Sequence, residues 1–277
     1  MIKDKIRIIA LDLDGTLLNS NKELSSVNLA ALEKAAQAGI EVVPTTGRFF
    51  GGMPEFILKL PFVHYAITIN GAEAADLCTG EVIYKADLTW ERAVDLMKLF
   101  DGYPVIYDCY QGNEAFMTAS QKKLVDKVVS SPHYRKMIHE LRQPVPELKA
   151  FLTERKQGVQ KVQFFTDHPD VRLKMLEELP RLFDDLCVSS SVSDNVEINQ
   201  IHANKGEALL ALASHLGCAP EQTIAFGDGL NDLSMLKAAG IGVAMDNACN
   251  EAKESADWIA PSCDEDGVAC GIHKFCF

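Results

Sequence analysis

The chain is short of several features that would assign it to a class at once. None of its 277 residues belongs to an apolar run approaching the roughly 18 to 20 residues that span a bilayer. Basic residues are not in excess, because 27 Lys and Arg stand against 39 Asp and Glu and give a net charge of −12, which argues against nucleic acid or an anionic membrane as a partner. The N-terminal segment carries no signal-peptide cleavage site. Together these absences predict a cytoplasmic protein.

Two further absences concern metal and disulfide chemistry. The eight cysteines are scattered, and no two of them form a C-x-x-C pair. A chain of this length without an export signal does not need disulfides, so reduced and mostly buried thiols are expected. The seven histidines show no H-x-x-x-H or comparable spacing, so a histidine metal site is not predicted.

What is present is an alternation of strands and helices at both ends of the chain. Three apolar runs near the N-terminus read as buried strands: residues 6–11, 40–43 and 65–69. Ser25 or Ser26 can cap a helix between the first two runs, and Gly39 is placed to end it. From about residue 196 the alternation returns, with strands at 223–226 and 241–244 and helices at 206–216 and 233–239. This pattern predicts an α/β fold with a doubly wound parallel sheet.

The middle of the chain has a different character. Residues 82–84, 105–107 and 115–117 predict short strands, the last two joined as a hairpin, and Pro169 and Pro180 can open and close a helix. This mixture of hairpins and helices is typical of an α+β unit. We therefore expect a core formed by residues 1–81 and 196–277, with residues 82–195 inserted as a second domain.

The strongest chemical signal is the pentapeptide Asp12-Leu13-Asp14-Gly15-Thr16, directly after the first apolar strand. Ligands of doubly wound sheets bind at the carboxyl ends of the strands, where this segment is predicted to lie. Asp12 and Asp14 are close enough to repel each other, and a hard cation such as Mg²⁺ is the usual relief. The alternative, in which the segment has no chemical role, is a polar loop that caps a helix. A single Asp would suit that alternative, but the whole pentapeptide does not.

Three other polar segments follow predicted strands or open predicted helices. They are Thr45-Thr46-Gly47-Arg48, Lys205-Gly206 and Gly227-Asp228-Gly229-Leu230-Asn231-Asp232. A Thr hydroxyl and free backbone N–H groups can bind a phosphate oxygen. A lysine at the start of a helix is not stabilised by the helix dipole, so its position there indicates an anionic ligand. Each segment alone is compatible with an ordinary turn, a solvated lysine or a helix cap. Together, at the ends of parallel strands, they favour one phosphate site.

These motifs, in this order, resemble those of the haloacid dehalogenase superfamily of phosphohydrolases, in particular its Cof-type branch with a large α/β cap. The matching segments are Asp12-x-Asp14-Gly-Thr, Thr46-Gly47-Arg48, Asn70-Gly71-Ala72, Glu197-Ile198 with Lys205-Gly206, Gly227-Asp228-x-x-Asn231-Asp232 and the acidic tail 255–269. The resemblance covers nearly the whole chain. One departure is His202-Ala203-Asn204, which stands before Lys205 where a glycine-containing turn is more usual.

The resemblance implies a Mg²⁺-dependent phosphatase with Asp12 as nucleophile and Asp14 as general acid and then base. It implies a metal held by Asp12, Asp228 and the backbone carbonyl of Asp14. The groups implied to bind the phosphoryl or the substrate are Lys205, Thr46, Asn231, Arg48 and the backbone N–H groups near Leu13 and Gly47, with Asp232 orienting Lys205 or the metal shell. The insert is expected to close over the site and to select the leaving group.

Several readings stay open from the sequence. A phosphomutase of the same superfamily and a non-catalytic sugar-phosphate sensor are the alternatives, and a dehalogenase is less favoured because Asp14-Gly15-Thr16 suits phosphoryl transfer. The expected partner is a small phosphorylated metabolite, such as a sugar phosphate, a nucleotide-type monoester or a cofactor phosphate. The sequence selects no single substrate and no oligomeric state.

Overall fold

The computed structural model describes residues 6–112 and 114–277, without the side chain of His133. The described strands are β1 (Ile8–Leu11), β2 (Glu41–Pro44), β3 (Tyr65–Thr68), β4 (Glu73–Asp76), β5 (Val82–Lys85), β6 (Ile106–Gln111), β7 (Glu114–Thr118), β8 (Arg142–Val145), β9 (Lys161–Phe165), β10 (Leu186–Ser189), β11 (Asn195–Gln200), β12 (Thr223–Gly227), β13 (Ile241–Met245) and β14 (Trp258–Ala260).

The described α-helices are α1 (Ser26–Gln37), α2 (Glu55–Leu58), α3 (Trp90–Phe100), α4 (Ala119–Lys122), α5 (Val125–Val128), α6 (Pro132–Leu141), α7 (Leu148–Arg155), α8 (Pro169–Leu182), α9 (Lys205–His215), α10 (Leu233–Ala238), α11 (Asn250–Ser255) and α12 (Gly267–Cys276). Short 3₁₀ helices lie at Phe50–Gly52, Ile69–Gly71, Pro220–Gln222, Leu230–Asp232 and Cys263–Glu265. Within the described ranges, every helix is too short or too polar to span a bilayer.

A five-stranded parallel sheet has the order β14-β13-β12-β1-β2. All four residues of β1 are buried, as expected for a central strand covered on both faces. Leu11, the last residue of β1, pairs with Phe226 of β12 on one side and with Pro44 of β2 on the other. The carboxyl ends of these three strands are therefore level. The strand that follows β1 in the sequence, β2, lies on one side of it, and β12 lies on the other side. The carboxyl end of β1 is therefore the topological switch point, where such sheets bind ligands.

A smaller antiparallel sheet of order β3-β4-β5 continues from this core. A parallel bridge between Thr45 and Ile67 connects the end of β2 to β3. The sequence analysis did not predict β4, whose residues Glu73-Ala74-Ala75-Asp76 lack the alternation and β-branched content of a strand. Because β5 pairs with β4, the chain stays with the core through Lys85.

The chain divides into two compact units, one comprising the residues through Gly47 with Pro54–Lys85 and Asn204–Phe277, and the other Arg48–Met53 with Ala86–Ala203. The divisions thus fall at 85/86 and 203/204, and not at the predicted 81/82 and 195/196. The second shift follows from β11, which pairs with β9 and so belongs to the insert.

The insert contains a six-stranded sheet of order β10-β11-β9-β6-β7-β8, antiparallel except for the parallel pair β7–β8. One face of this sheet packs apolar side chains against α3, α7 and α8. The predicted α/β class, with a parallel core and an inserted sheet-and-helix domain, is confirmed. The turn of the predicted hairpin includes Asn113, which lies outside the described residues, as does the N-terminal segment 1–5.

Three local predictions can be compared with the structure. Ser25 is the residue that caps α1, since its hydroxyl accepts the N–H of Asn28 at 3.0 Å. Pro180 was predicted to close α8, but the helix continues to Leu182. Pro180 lies in the last turn, where its missing N–H removes only one of the final backbone hydrogen bonds of the helix. No disulfide joins the cysteines, yet only Cys109, Cys218 and Cys263 are buried, so the prediction of mostly buried thiols was wrong.

Candidate active site

Two acidic loops meet at the carboxyl ends of β1 and β12. Asp12 follows β1 directly, is 6% exposed, and its N–H donates to the carbonyl of Phe226 in β12. The ammonium of Lys205 lies between two carboxylates, with Nζ 2.6 Å from Oδ1 of Asp12 and 2.6 Å from Oδ1 of Asp232. The Lys205 side chain is fully buried. Three segments far apart in sequence are thereby joined in one charged cluster.

Asp228 adds a third carboxylate to this cluster. One carboxylate oxygen from each of Asp12, Asp228 and Asp232 lies within 4.8 Å of the others. The Thr16 hydroxyl donates to Oδ1 of Asp228 at 2.8 Å. A Cβ at Gly15 would stand 2.6 Å from Oδ2 of Asp228, so only glycine leaves room for this carboxylate. Carboxylate oxygens gathered at this spacing fit a hard divalent cation such as Mg²⁺.

Asp232 differs from the other two acids because both of its oxygens already accept hydrogen bonds. Oδ1 accepts from Lys205, and Oδ2 accepts the backbone N–H groups of Asp228 and Gly229, each at 2.8 Å. Asp232 therefore fixes both the lysine and the loop that carries Asp228. Asp12 and Asp228 are the better placed of the three to serve as metal ligands.

The excess of acids over bases governs the electrostatics. Burial raises the pKa of Asp12 well above its usual value; the ammonium of Lys205 works against this, while Asp232 and Asp228 add to it. Burial and then Asp232 raise the pKa of Asp228 to about 6. Burial opposes the charge of Lys205, but Asp12 and Asp232 outweigh it and raise the lysine pKa. Three carboxylates around one ammonium form a site that attracts a further cation.

The raised pKa of Asp228 has a consequence for stability in the presence of EDTA. Its value of about 6 exceeds the ordinary 3.8, so between these pH values the folded chain binds more protons than the unfolded chain. The free energy of unfolding therefore falls as pH rises through this window. Position 228 cannot ionise in Asp228→Asn. We therefore expect the free energy of unfolding of this variant, relative to that of the wild type, to rise by about 1–2 kcal/mol between pH 4 and pH 7, with allowance for partial solvent screening.

Urea unfolding of both proteins in EDTA at pH 4.5 and pH 7 measures this difference. The Thr16 contact can persist in the variant, since an Asn oxygen still accepts the hydroxyl. A stability difference between the two proteins that is equal at both pH values would contradict the assignment.

The lysine is held by the start of α9. The Asn204 side chain caps this helix by accepting the N–H of Glu207 at 2.9 Å. Gly71 packs directly against the same point at a φ of +94°, and a Cβ there would lie 2.3 Å from the carbonyl carbon of Asn204 and 2.7 Å from the nitrogen of Lys205. The Asn70-Gly71 turn thus fixes the position of the Lys205 backbone.

Gly71→Ala is expected to lower the free energy of unfolding by about 2–4 kcal/mol, because it combines backbone strain with a contact that only backbone movement can relieve. It should also reduce turnover by about 10²-fold, since Lys205 moves with its helix. Gly80→Ala is the matched control, because Gly80 also has a positive φ (+77°) but no atom within 4 Å of an added Cβ. Urea unfolding and phosphate release measure both effects, and equal losses in the two variants would contradict the role given to Gly71.

The second predicted loop lies beside Asn70. Thr46 is buried and its N–H donates to the carbonyl of Ile67 at 2.8 Å, while its own carbonyl accepts the N–H of Asn70 at 3.0 Å. The Asn70 side-chain oxygen accepts from Asn231 at 3.1 Å, and a Cβ at Gly47 would stand 2.7 Å from the same oxygen. Asn70, at a φ of 58°, therefore ties the Thr46-Gly47 loop to the loop of Asn231.

The remaining predicted residues are placed as follows. Leu13 is fully buried. The Asp14 side chain lies outside the group of three acids, and its Oδ1 is 3.1 Å from the ammonium of Lys22. Arg48 falls in the insert unit, where its Nη1 donates to the carbonyl of Gly52 at 3.1 Å.

Three polar residues support the site without having been assigned a role from the sequence. Thr16 and Asn70 stand inside quoted motifs, so their position was a usable signal. Asn247 had none: its Nδ2 donates to the carbonyl of Gly15 at 2.8 Å, and its Oδ1 accepts the N–H of Cys263. Only the fold brings the segment after β13 against the Gly15 turn.

Comparison with known proteins agrees with this architecture. The family model for haloacid dehalogenase-like hydrolases matches residues 9–272. Phosphatase YwpJ of Bacillus subtilis (strain 168) is 32% identical over 285 residues, covering 95% of this chain and 98% of that protein. The 5-amino-6-(5-phospho-D-ribitylamino)uracil phosphatase YcsE of the same organism is 34% identical over 274 residues, covering 98% and 96%. A solved structure of a haloacid dehalogenase-like hydrolase from B. subtilis superimposes with a TM-score of 0.85 at 30% identity, covering 97% and 99%.

A parallel sheet with acidic loops at its switch point defines an α/β protein with a site that attracts cations. The chain belongs to the haloacid dehalogenase-like hydrolase family. The predictions of the family and of a phosphatase-type enzyme are confirmed.

Proposed function

We propose that this protein is a Mg²⁺-dependent phosphatase that hydrolyses small phosphate monoesters, with Asp12 as the nucleophile and a phosphoaspartate as the intermediate. The observation that carries the proposal is the buried ammonium of Lys205, 2.6 Å from both Asp12 and Asp232 in a group of three carboxylates. Phosphatase relatives such as YwpJ support the class of reaction. A cytoplasmic location stays a prediction.

Asp12 attacks the phosphorus atom through a carboxylate oxygen, and the bond to the leaving oxygen breaks as the new P–O bond forms. Attack on a phosphate dianion by a carboxylate brings two anions together. Mg²⁺, when held by Asp12, Asp228 and the backbone carbonyl of Asp14, would neutralise carboxylate and phosphoryl charge. Lys205 supplies a fixed positive charge beside the attacking carboxylate, and its own position is fixed by Asp232.

The transferred phosphoryl group needs donors for its oxygens. Thr46, Asn231, Lys205 and the backbone N–H groups near Leu13 and Gly47 are the proposed donors. Asn70 acts as a positioning residue here, because it links the Thr46 loop to the Asn231 side chain. Arg48 is the predicted contact to a second anionic or hydroxyl group of the substrate.

Asp14 is the proposed acid and base. It protonates the leaving alkoxide, and in the second step it takes a proton from the water that cleaves the phosphoaspartate. The ammonium of Lys22, 3.1 Å from the Asp14 carboxylate, holds this side chain apart from the three clustered acids. Asp14 is therefore assigned to proton transfer, and Asp12 and Asp228 are assigned to the metal.

Phosphate release across a panel of phosphorylated metabolites, with Mg²⁺ and with EDTA, tests the proposal. The panel covers sugar phosphates, nucleotide monophosphates and the flavin and pyridoxal cofactor phosphates. Release equal to substrate loss, abolished by EDTA, is the expected result. Substrate isomerisation without release would show a phosphomutase, and calorimetric binding without turnover would show a sensor; either outcome would overturn the proposal.

A further inference from the structure

The loop between β1 and α1 carries a lysine in a backbone conformation that lysine rarely adopts. The N–H of Asn19 donates to the carbonyl of Glu23 at 3.0 Å, and the N–H of Lys22 donates to the carbonyl of Asn19 at 2.9 Å. Lys22 has a φ of 64°. Three-residue loops of this kind favour glycine at the left-handed position, because a residue with a Cβ is strained there. Strain of this kind clusters at functional sites.

The ammonium of Lys22 contacts the proposed acid and base. Nζ of Lys22 is 3.1 Å from Oδ1 of Asp14, and the two side chains are 38% and 33% exposed. An ion pair as exposed as this contributes little to stability. Stability therefore does not explain why a lysine occupies the strained position, and the contact favours a role in placing the Asp14 carboxylate.

The loop that carries Lys22 is tied to the acidic turn before α12. The N–H of Ser20 donates to Oδ1 of Asp264 at 2.8 Å, and this bond lowers the pKa of Asp264. At the end of the loop, the Ser25 hydroxyl donates to Oδ1 of Asp266. Both acids belong to the tail segment 255–269, to which the reaction described above assigns no role. The two contacts fix the loop on either side of Lys22.

The same turn is also linked to the backbone next to Asp14. Asn247 accepts the N–H of Cys263 and donates to the carbonyl of Gly15, each at 2.8 Å. The residues of these contacts and of the Lys22 loop all belong to one compact unit. The turn at 263–266 therefore holds the neighbourhood of Asp14 twice, once through Gly15 and once through the loop of Lys22.

We propose that Lys22 is a positioning residue, which holds the Asp14 carboxylate in the orientation from which it protonates the leaving oxygen, and that Asp264 fixes Lys22 through the loop. This inference rests on the proposed phosphatase function and adds to it two residues that act through Asp14. The proton passes from the Asp14 carboxyl group to the leaving oxygen as the P–O bond breaks, and Lys22 neither gains nor loses a proton. With Oδ1 beside the ammonium, Oδ2 is the oxygen assigned to the transferred proton.

Lys22→Gly separates positioning from a structural role, because glycine relieves the strain and also removes the ammonium. We expect its midpoint of urea unfolding to equal or exceed that of the wild type. The probes are phenyl phosphate and p-nitrophenyl phosphate, which share a ring but differ in how much the leaving oxygen needs a proton. We expect kcat/KM, which covers the steps through loss of the leaving group, to fall by about tenfold or more for phenyl phosphate and by less than about threefold for p-nitrophenyl phosphate.

Lys156→Gly is the matched control. Lys156 is also an exposed lysine with a positive φ (52°), at the C-terminal end of α7. This variant should keep or raise the unfolding midpoint and leave the ratio of the two kcat/KM values unchanged. Lys22→Met, which keeps a long side chain without the ammonium, should change the ratio as Lys22→Gly does. A metabolite of the panel whose leaving oxygen also needs a proton should respond as phenyl phosphate does.

Two variants of Asp264 test its part. Asp264→Ala removes the acceptor of the Ser20 N–H, and we expect the ratio to change in the same direction by about threefold. Asp264→Asn keeps an oxygen that can accept this N–H, so it should restore the wild-type ratio. An unchanged ratio in Asp264→Ala would overturn the role given to Asp264.

A wild-type ratio in Lys22→Gly or in Lys22→Met would overturn the positioning role of Lys22. A rise in KM for both esters with kcat unchanged would also overturn it, because Lys22 would then bind the phosphoryl group itself. A wild type that releases phosphate from neither ester nor any metabolite of the panel would instead overturn the phosphatase function.

Discussion

Asp12→Asn should abolish turnover, with a loss on the order of 10⁴-fold or more, because the amide cannot form the phosphoaspartate. The variant should stay folded. Asn has nearly the same shape, its oxygen can still accept from Lys205, and the substitution removes a buried acid whose pKa is raised mainly by burial. Steady-state phosphate release on any substrate of the wild type, together with a thermal melt, measures both expectations.

Asp246→Asn is the control for this substitution. Asp246 also follows a strand of the parallel sheet, β13, but its side chain is 69% exposed and its nearest basic partner, Lys253, is 3.7 Å away. The control should retain wild-type turnover. Undiminished activity in Asp12→Asn would refute the assignment of the nucleophile, and an unfolded Asp12→Asn would contradict the electrostatic account of the site.

Lys205→Met should combine the second largest loss of activity with a loss of stability. Removing the ammonium leaves Asp12 and Asp232 buried without a countercharge, which costs about 3–5 kcal/mol in comparable pairs. Turnover should fall by about 10³-fold, since a preorganised charge beside the reacting carboxylate is lost. Urea unfolding and phosphate release measure the two effects, with the exposed Lys237→Met of α10 as a control.

A double variant separates electrostatics from packing. In Asp12→Asn/Lys205→Met one of the two uncompensated acids is gone, so the stability cost of removing the lysine should be smaller than in the wild-type background. An equal cost in both backgrounds would show that Asp12 and Lys205 do not interact in the folded protein, against the 2.6 Å contact.

The sequence was most informative where acidic or basic side chains directly follow a strand or begin a helix. Asp12, Asp228 and Lys205 could be selected because parallel strands β1 and β12 end in acids and because a lysine at a helix start has no structural use there. The structure brings these three residues and Asp232 together. Residues that act through the fold gave weaker signals, and the contact of Asn247 with Gly15 links positions 232 residues apart in the chain.

The limits of the insert were harder to predict for a related reason. The alternation of Val196 and Ile198 indicates a strand at β11, but periodicity does not say which sheet a strand joins. The family resemblance groups Glu197 with Lys205 of the core, whereas the Glu197 side chain pairs with Lys161 at 2.9 Å inside the insert. The buried charges Asp108, Arg142, Lys161 and Glu197 could not be grouped from the sequence. They come from β6, β8, β9 and β11, and only the pairing of these strands brings them into one sheet.

The most direct test of the account is to trap the phosphoryl group on the protein. Wild-type enzyme mixed with ³²P-labelled substrate and Mg²⁺ and quenched in acid within milliseconds should retain label on the peptide that contains Asp12, and Asp12→Asn should retain none. Label found on another residue, or rapid phosphate release from a protein that never becomes labelled during turnover, would contradict covalent transfer through Asp12.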